Sequence, residues 1–224
     1  METAMKIASV NVGVETLIEH GDHSVRSGII KRSVTGRVFV GALGLKDDVI
    51  IHTRVHGGLD QAVYAYRSED YEWWEAQLGR KLEPGLFGEN LTLRGLPSPD
   101  ATVGTRLRFD EVVLEVTAPR IPCATFAARM KDPAFLKQFM RAERPGMYFR
   151  VLKTGSIAAG ESFTLDPPDH ARDGEPEVPR VNILEIFRAN HRKLEAAELC
   201  RFLAAPIDER TRADFEARLR KMNG

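Results

Sequence analysis

Cys123 ends the run Ala118-Pro119-Arg120-Ile121-Pro122-Cys123. Proline fixes its own φ and restricts the residue before it, so Arg120 and Cys123 sit on a stiff segment. The residues that follow, 124–130, predict a short helix with Cys123 near its N-terminus. A permanent cation and a helix N-terminus both favour thiolate over thiol. A thiolate is either a nucleophile or a soft metal ligand, and these residues leave both fates open. A lone cysteine is otherwise a small buried hydrophobe without chemistry. The Pro-Arg-x-Pro-Cys frame argues against that bland reading.

A second constellation is His52-Thr53-Arg54-Val55-His56-Gly57-Gly58-Leu59-Asp60. Two histidines four apart would pair on a helix, but the segment is rich in β-branched residues and lacks the glutamate of a zinc-protease motif. Read as a strand, it puts His52, Arg54 and His56 on one face, a cationic stripe leading into a Gly-Gly turn. Gly57 and Gly58 let a ligand approach the backbone and leave N–H groups for anions. The competing reading is a solvent-facing strand edge before a tight turn. Gly85-Leu86-Phe87-Gly88-Glu89-Asn90 and Lys31 are weaker signals, each explained equally well by a turn or a surface cation.

Elements must hold these residues in place. Residues 5–165 carry many short β-like runs broken by glycine, among them 6–12, 36–40, 48–56, 62–66, 106–109, 112–117, 147–152 and 162–165. Such a pattern predicts a mostly antiparallel barrel or sandwich. Two helices interrupt it: 69–78, with Ser68 as cap and Gly79 as stop, and one starting at Asp132-Pro133. Residues 166–179 are rich in proline and charge and read as a linker. Beyond them, 181–188, 194–204 and 208–222 read as three short amphipathic helices, the last capped by Asp208.

Composition limits the function. The chain has 224 residues, 43% hydrophobic and 29% charged, enough to bury a sizeable core. Lys+Arg and Asp+Glu are both 32, so no basic surplus points to nucleic acid. No apolar run approaches membrane-spanning length and the first residues form no signal-peptide core, so a cytoplasmic location is expected. The two cysteines, Cys123 and Cys200, read as free thiols and are too few for a four-cysteine iron–sulfur cluster.

Three segments in order, Val55-His56-Gly57-Gly58-x-Asp60, Phe87-Gly88-Glu89-Asn90-Leu91 and Pro119-Arg120-x-Pro122-Cys123, resemble a MOSC domain, the C-terminal domain type of molybdenum cofactor sulfurases. Arg150-Val151-Leu152 and Gly155-x-Ile157-x-Ala159-Gly160 fit its closing segment. The layout is similar to the YiiM-like subfamily, which carries a C-terminal three-helix (3-alpha) domain. The resemblance implies an α+β fold: a mostly antiparallel, β-barrel-like MOSC domain over 1–165, a linker over 166–179 and a three-helix unit over 180–224. It implies the molybdenum cofactor (molybdopterin), with Cys123 as the molybdenum ligand and catalytic residue. Arg120, Arg54, His56, Gly57, Gly58, Asn90 and Lys31 would bind the cofactor. The implied activity is reduction of a small N-hydroxylated substrate, of the hydroxylaminopurine or amidoxime type. Electrons would come from a separate flavin reductase or ferredoxin-like partner, since the chain has no dinucleotide fingerprint. The rival readings are a persulfide carrier built on Cys123 and a non-enzymatic cofactor-binding module. This chain departs from the pattern at Gln61 and Thr125, where relatives often carry lysine.

Overall fold

The computed structural model describes residues 4–20, 23–53, 56–96, 101–168 and 179–222. Its largest element is a mixed sheet of eight strands, in which the β-branched and aromatic runs of the sequence lie. These strands are β1 (Lys6–Gly13), β4 (Lys31–Ser33), β7 (Val63–Arg67), β8 (Leu91–Arg94), β9 (Arg106–Arg108), β10 (Val113–Pro119), β11 (Met147–Lys153) and β13 (Thr164–Asp166). Their order is β13-β9-β10-β11-β7-β8-β1-β4. β7 and β8 run parallel, with helix α1 (Ser68–Leu78) between them in sequence, as a parallel pair requires a crossover. β2 (Thr16–His20) and β3 (His23–Ser27) form a separate hairpin, and β5 (Val38–Gly41), β6 (Gly44–Leu45) and β12 (Gly155–Ile157) a third sheet.

The α+β class agrees with the sequence, but among the described residues no closed barrel forms. The large sheet ends at β4 and β13, which are three residues each, too short to carry a ladder around. The start of β1 meets the segment before β13 through the short antiparallel bridge of Lys6 and Ser162, where Ile7 N–H donates to Glu161 O at 2.9 Å, Gly160 N–H to Ile7 O at 2.8 Å and Phe163 N–H to Met5 O at 3.2 Å.

β7 shows why its sequence is a continuous apolar run. Val63 and Ala65 point into one core, while Tyr64 and Tyr66 point into a second, aromatic core on the opposite face. Phe87 lies at the middle of the aromatic core, stacked on Tyr66 with ring centroids 4.4 Å apart. Phe126 of α2 (Ala124–Met130) and Phe135 and Phe139 of α3 (Phe135–Ala142) complete it. This aromatic layer packs behind the segment that carries Arg120 and Cys123.

Helices α4 (Ile183–Ala189), α5 (Ala196–Ala204) and α6 (Glu209–Met222) occupy the C-terminal region read as helical. Their residues Ile183, Ile186, Leu199, Phe202 and Phe215 enter the same core as Ile7, Val10 and Leu114 of the sheet. The backbone joins them too: Val103 N–H donates to Val181 O at 2.8 Å and Ile183 N–H to Ala101 O at 3.1 Å. Asn182 and Glu185 form a capping box that starts α4. Most of the region read as a linker, residues 169–178, lies outside the described residues.

Two sequence readings are corrected. Ser68 does not cap α1; Arg67 holds the N-cap position and Ser68 is the first helical residue, while Gly79 ends the helix in the left-handed conformation as expected. The described residues of the stretch 48–56, namely 48–53 and 56, form no strand. Asp48 turns its carboxylate inward, where Oδ1 accepts from Gly13 N–H at 2.7 Å, and the following amide, Val49 N–H, donates to Gly13 O at 2.9 Å. The segment thereby bonds end-on to β1 rather than along a ladder. Further on, His56 N–H donates to His52 O at 3.0 Å and closes a turn.

Candidate functional site

These elements enclose a cleft, open to solvent, with a cavity volume of about 90 Å³. It gathers Lys31, His56, Gly57, Asn90, Arg120 and Cys123, all singled out from the sequence, together with His52, Gln61 and Thr125. Gly58 lies beside it on the exposed side, and Arg54 lies outside the described residues. The stripe expected from a strand is absent, yet a turn with a bond between residues four apart also brings His52 and His56 to one wall.

Cys123 is half-buried and occupies the N-cap position of α2. Burial alone would raise its pKa. The hydrogen bond from His56, the charge of Arg120 and the Phe126 amide outweigh burial and hold the thiol at about 6. Cys123 is therefore a thiolate at neutral pH. Since only the thiolate is nucleophilic, alkylation of Cys123 by iodoacetamide is expected to rise through a midpoint near pH 6 and level off above it. His56→Ala should move that midpoint upward. A wild-type midpoint near the free-thiol value of about 8.5 would contradict the arrangement.

Arg120 lies behind the cysteine and is buried. Its Nη1 donates to Phe87 O at 2.8 Å, and its guanidinium lies 4.5 Å from the Phe126 ring centroid and 5.2 Å from that of Tyr64. Its Nε is buried and has no hydrogen-bond partner among the described residues. Gly88 lets this cation approach: its φ is +78°, and a Cβ there would stand 2.8 Å from Ile29 Cγ1 and 3.3 Å from Arg120 Nη1. Gly57 has a φ of +67°, and a Cβ would stand 2.8 Å from Ile50 Cδ1. Glycine at these two positions keeps the cleft walls made of backbone.

Lys31 and Asn90 line the cleft but are already engaged. The Lys31 ammonium pairs with Asp48, with both side chains almost fully buried. Asn90 Nδ2 donates to Asp48 Oδ2 at 2.9 Å, and Asn90 Oδ1 accepts from Tyr64 N–H at 3.2 Å. Burial lowers the Lys31 pKa, and the Asp48 charge opposes that shift. The pair thus acts as a floor that ties β4, the Asp48 turn and the Asn90 strand entry together.

Asp48, Tyr148 and Arg210 were not singled out from the sequence. Asp48 read only as the first residue of the β-like run 48–56. Tyr148, which lines the cleft with its ring 5.0 Å from that of Tyr64, read as one residue of a strand. Arg210 was one cation among several on an amphipathic helix.

The model of the MOSC domain family matches residues 52–164, the stretch that contains His56, Arg120 and Cys123. The chain belongs to that family. It is 33% identical over 159 residues to the protein YflK of Bacillus subtilis (strain 168), covering 71% of this chain and 72% of YflK. A protein named "Reductase" from Gibberella moniliformis is 32% identical over 182 residues, 79% of this chain but 31% of that longer protein. The crystal structure of YiiM from Geobacillus stearothermophilus superposes with a TM-score of 0.75 and 31% identity, covering 96% of this chain and 99% of YiiM. Similarity to YiiM extends over the C-terminal helices as well as the sheet. No helix among the described residues is long and apolar enough to cross a membrane.

Proposed function

We propose that this protein binds the molybdenum cofactor through Cys123 and reduces small N-hydroxylated compounds. The observation that carries the reading is a thiolate at neutral pH in an open cleft, backed by a buried arginine with an unpartnered Nε. The donor set fits the group. A soft thiolate suits a thiophilic metal, and a metal already chelated by its own dithiolene needs few protein ligands. Among the described residues no cluster of three or more His, Cys, Asp or Glu is arranged to hold a metal by itself.

When bound, the cofactor supplies a molybdenum centre that exchanges two electrons. The rest of the task falls to the chain. Cys123 Sγ would hold the metal, and the His56 hydrogen bond and Arg120 charge keep that sulfur ionised. With Lys31 neutralised by Asp48, Arg120 Nε and the Gly57 and Gly58 amides remain for anionic parts of the ligand. Those amides donate no hydrogen bond to other described residues. Tyr64 and Tyr148 form an aromatic wall suited to a planar substrate. The His52 imidazole lines the cleft and would be the group to deliver a proton to the departing hydroxyl oxygen. The overall change is R–NH–OH plus two electrons and two protons giving R–NH2 and water. The electrons come from a separate reductase or ferredoxin-like donor.

The test uses the full chain from a cofactor-competent host. Molybdenum and pterin contents are measured, and reduction of an amidoxime by a chemical donor is followed with and without the protein. The reading expects bound molybdenum and catalysed formation of the amidine. Cofactor-free protein bearing a persulfide on Cys123 would replace this reading with sulfur transfer.

A further inference from the structure

Among its described residues, the turn that carries His56 has few bonds of its own. Within it, His56 N–H donates to His52 O and Gln61 N–H donates to Gly58 O at 3.2 Å. Gly57 and Gly58, both at positive φ, add no side chain to pack. Yet this turn carries His56, Gly57 and Gln61 into the cleft that Cys123 lines, so its conformation sets the wall facing the thiol. The missing restraint comes from the far end of the chain, from the first turn of α6.

Arg210 extends from that turn across the carbonyls of the loop. Its Nη1 donates to Gly57 O at 2.8 Å and to Gln61 Oε1 at 3.0 Å. Its Nη2 donates to Thr53 O at 3.0 Å and to His56 O at 3.3 Å. Four acceptors on both sides of the glycine pair thus converge on one planar, rigid fork, a task that suits guanidinium and not a point-charge ammonium. Neighbouring residues align the same two pieces. Asp208 Oδ1 accepts from Gln61 Nε2 at 3.1 Å, and Asp60 Oδ2 accepts from Glu209 N–H at 2.9 Å. Arg210 is not among the residues that line the cleft.

We propose that Arg210 is a positioning residue, whose fork on the Thr53, His56 and Gly57 carbonyls and Gln61 fixes the loop that carries His56 and Gly57 into the cleft beside Cys123. The C-terminal helices thereby complete a site whose chemistry belongs to the sheet. The inference concerns contacts within the protein itself. It stands whichever chemistry Cys123 performs, so its failure and that of the reductase reading are separate results.

The experiment uses the full chain without cofactor and follows alkylation of Cys123 at pH 7 against that of exposed Cys200 in the same molecule. Amide hydrogen exchange over residues 56–61 is measured in parallel. Arg210→Ala is expected to slow Cys123 relative to Cys200 about ten-fold and to speed exchange of the loop amides about ten-fold. Arg210→Lys should behave like the alanine variant, because an ammonium cannot span the acceptors. Arg218→Ala, on the same helix but bonded to Ala189 O, should change neither reading. Gln61→Ala, which keeps Arg210 and its carbonyl contacts, should give a smaller slowing in the same direction. It carries the test should Arg210→Ala fail to fold. An unchanged ratio of Cys123 to Cys200 in a folded Arg210 variant, or in Gln61→Ala if that alone folds, overturns the proposal. So does an equal slowing in Arg218→Ala.

Discussion

Cys123→Ser, expressed beside the wild type in a cofactor-competent host, is expected to retain at least about ten-fold less molybdenum per chain. Serine preserves the volume of the side chain and the backbone of the N-cap. It removes the soft donor, since a hydroxyl is a hard ligand that stays protonated where Cys123 is ionised. It also removes the negative charge that faces Arg120, which keeps the Phe87 carbonyl, the Tyr64 and Phe126 rings and the Glu89 charge as partners. The fold should survive, because Cys123 is half-buried at the cleft wall rather than in either core. Metal analysis on purified protein gives the answer directly. Equal molybdenum in the two proteins would remove Cys123 as the ligand and leave the arginine and the backbone amides as the only anchors.

The largest effect on stability is expected from Asp48→Ala. The carboxylate accepts from Gly13 N–H, from Asn90 Nδ2 and from the Lys31 ammonium, and its side chain is 3% exposed against 7% for Lys31. Truncation strands a buried ammonium together with two neutral donors. Breaking a buried pair in this way costs about 3–5 kcal/mol, because the remaining charge keeps its burial and loses its partner. Lys31 would partly relieve the cost by releasing its proton, since burial already lowers its pKa and Asp48 is the first influence opposing that shift. Asp48→Asn should cost less, as the amide oxygen can still accept from Gly13. Urea unfolding with an unchanged slope and a lowered midpoint checks the prediction. A loss below about 1 kcal/mol would mean that the Lys31–Asp48–Asn90 floor is not closed in solution.

The same cluster shows where reading along the chain succeeds and where it stops. The helix after Cys123 runs over Ala124–Met130 as the local pattern predicts, and Arg120 is beside the thiol because two prolines leave the backbone little choice. The His56-Gly57-Gly58 turn and the Gly88 turn were legible because positive φ selects glycine, and both border the cleft. The strand reading of 48–56 failed for a non-local reason. Its β-branched residues satisfied the local rule, while Asp48 found partners at Gly13, Lys31 and Asn90, which no spacing within the segment reveals. Gln61 carries the same lesson. As a departure from a family pattern it looked like the loss of a cation from the site. In the fold it is a link, accepting from Arg210 and donating to Asp208.

By itself, then, the amino-acid sequence determined the α+β character, the family, the helical C-terminal region and the short-range chemistry of the Pro-Arg-x-Pro-Cys segment. Those features depend on φ restriction, side-chain period and neighbours within one turn, all of which act over a few residues. Only the tertiary structure decided which cations are free. Lys31 is neutralised by a carboxylate seventeen residues away, and Arg120 is buried with an unpartnered nitrogen. Only the tertiary structure, too, brought Arg210 onto the loop that places His56 against Cys123. Charge pairing and loop fixing depend on distance in space, and the closing of the sheet and helices around a shared core sets those distances.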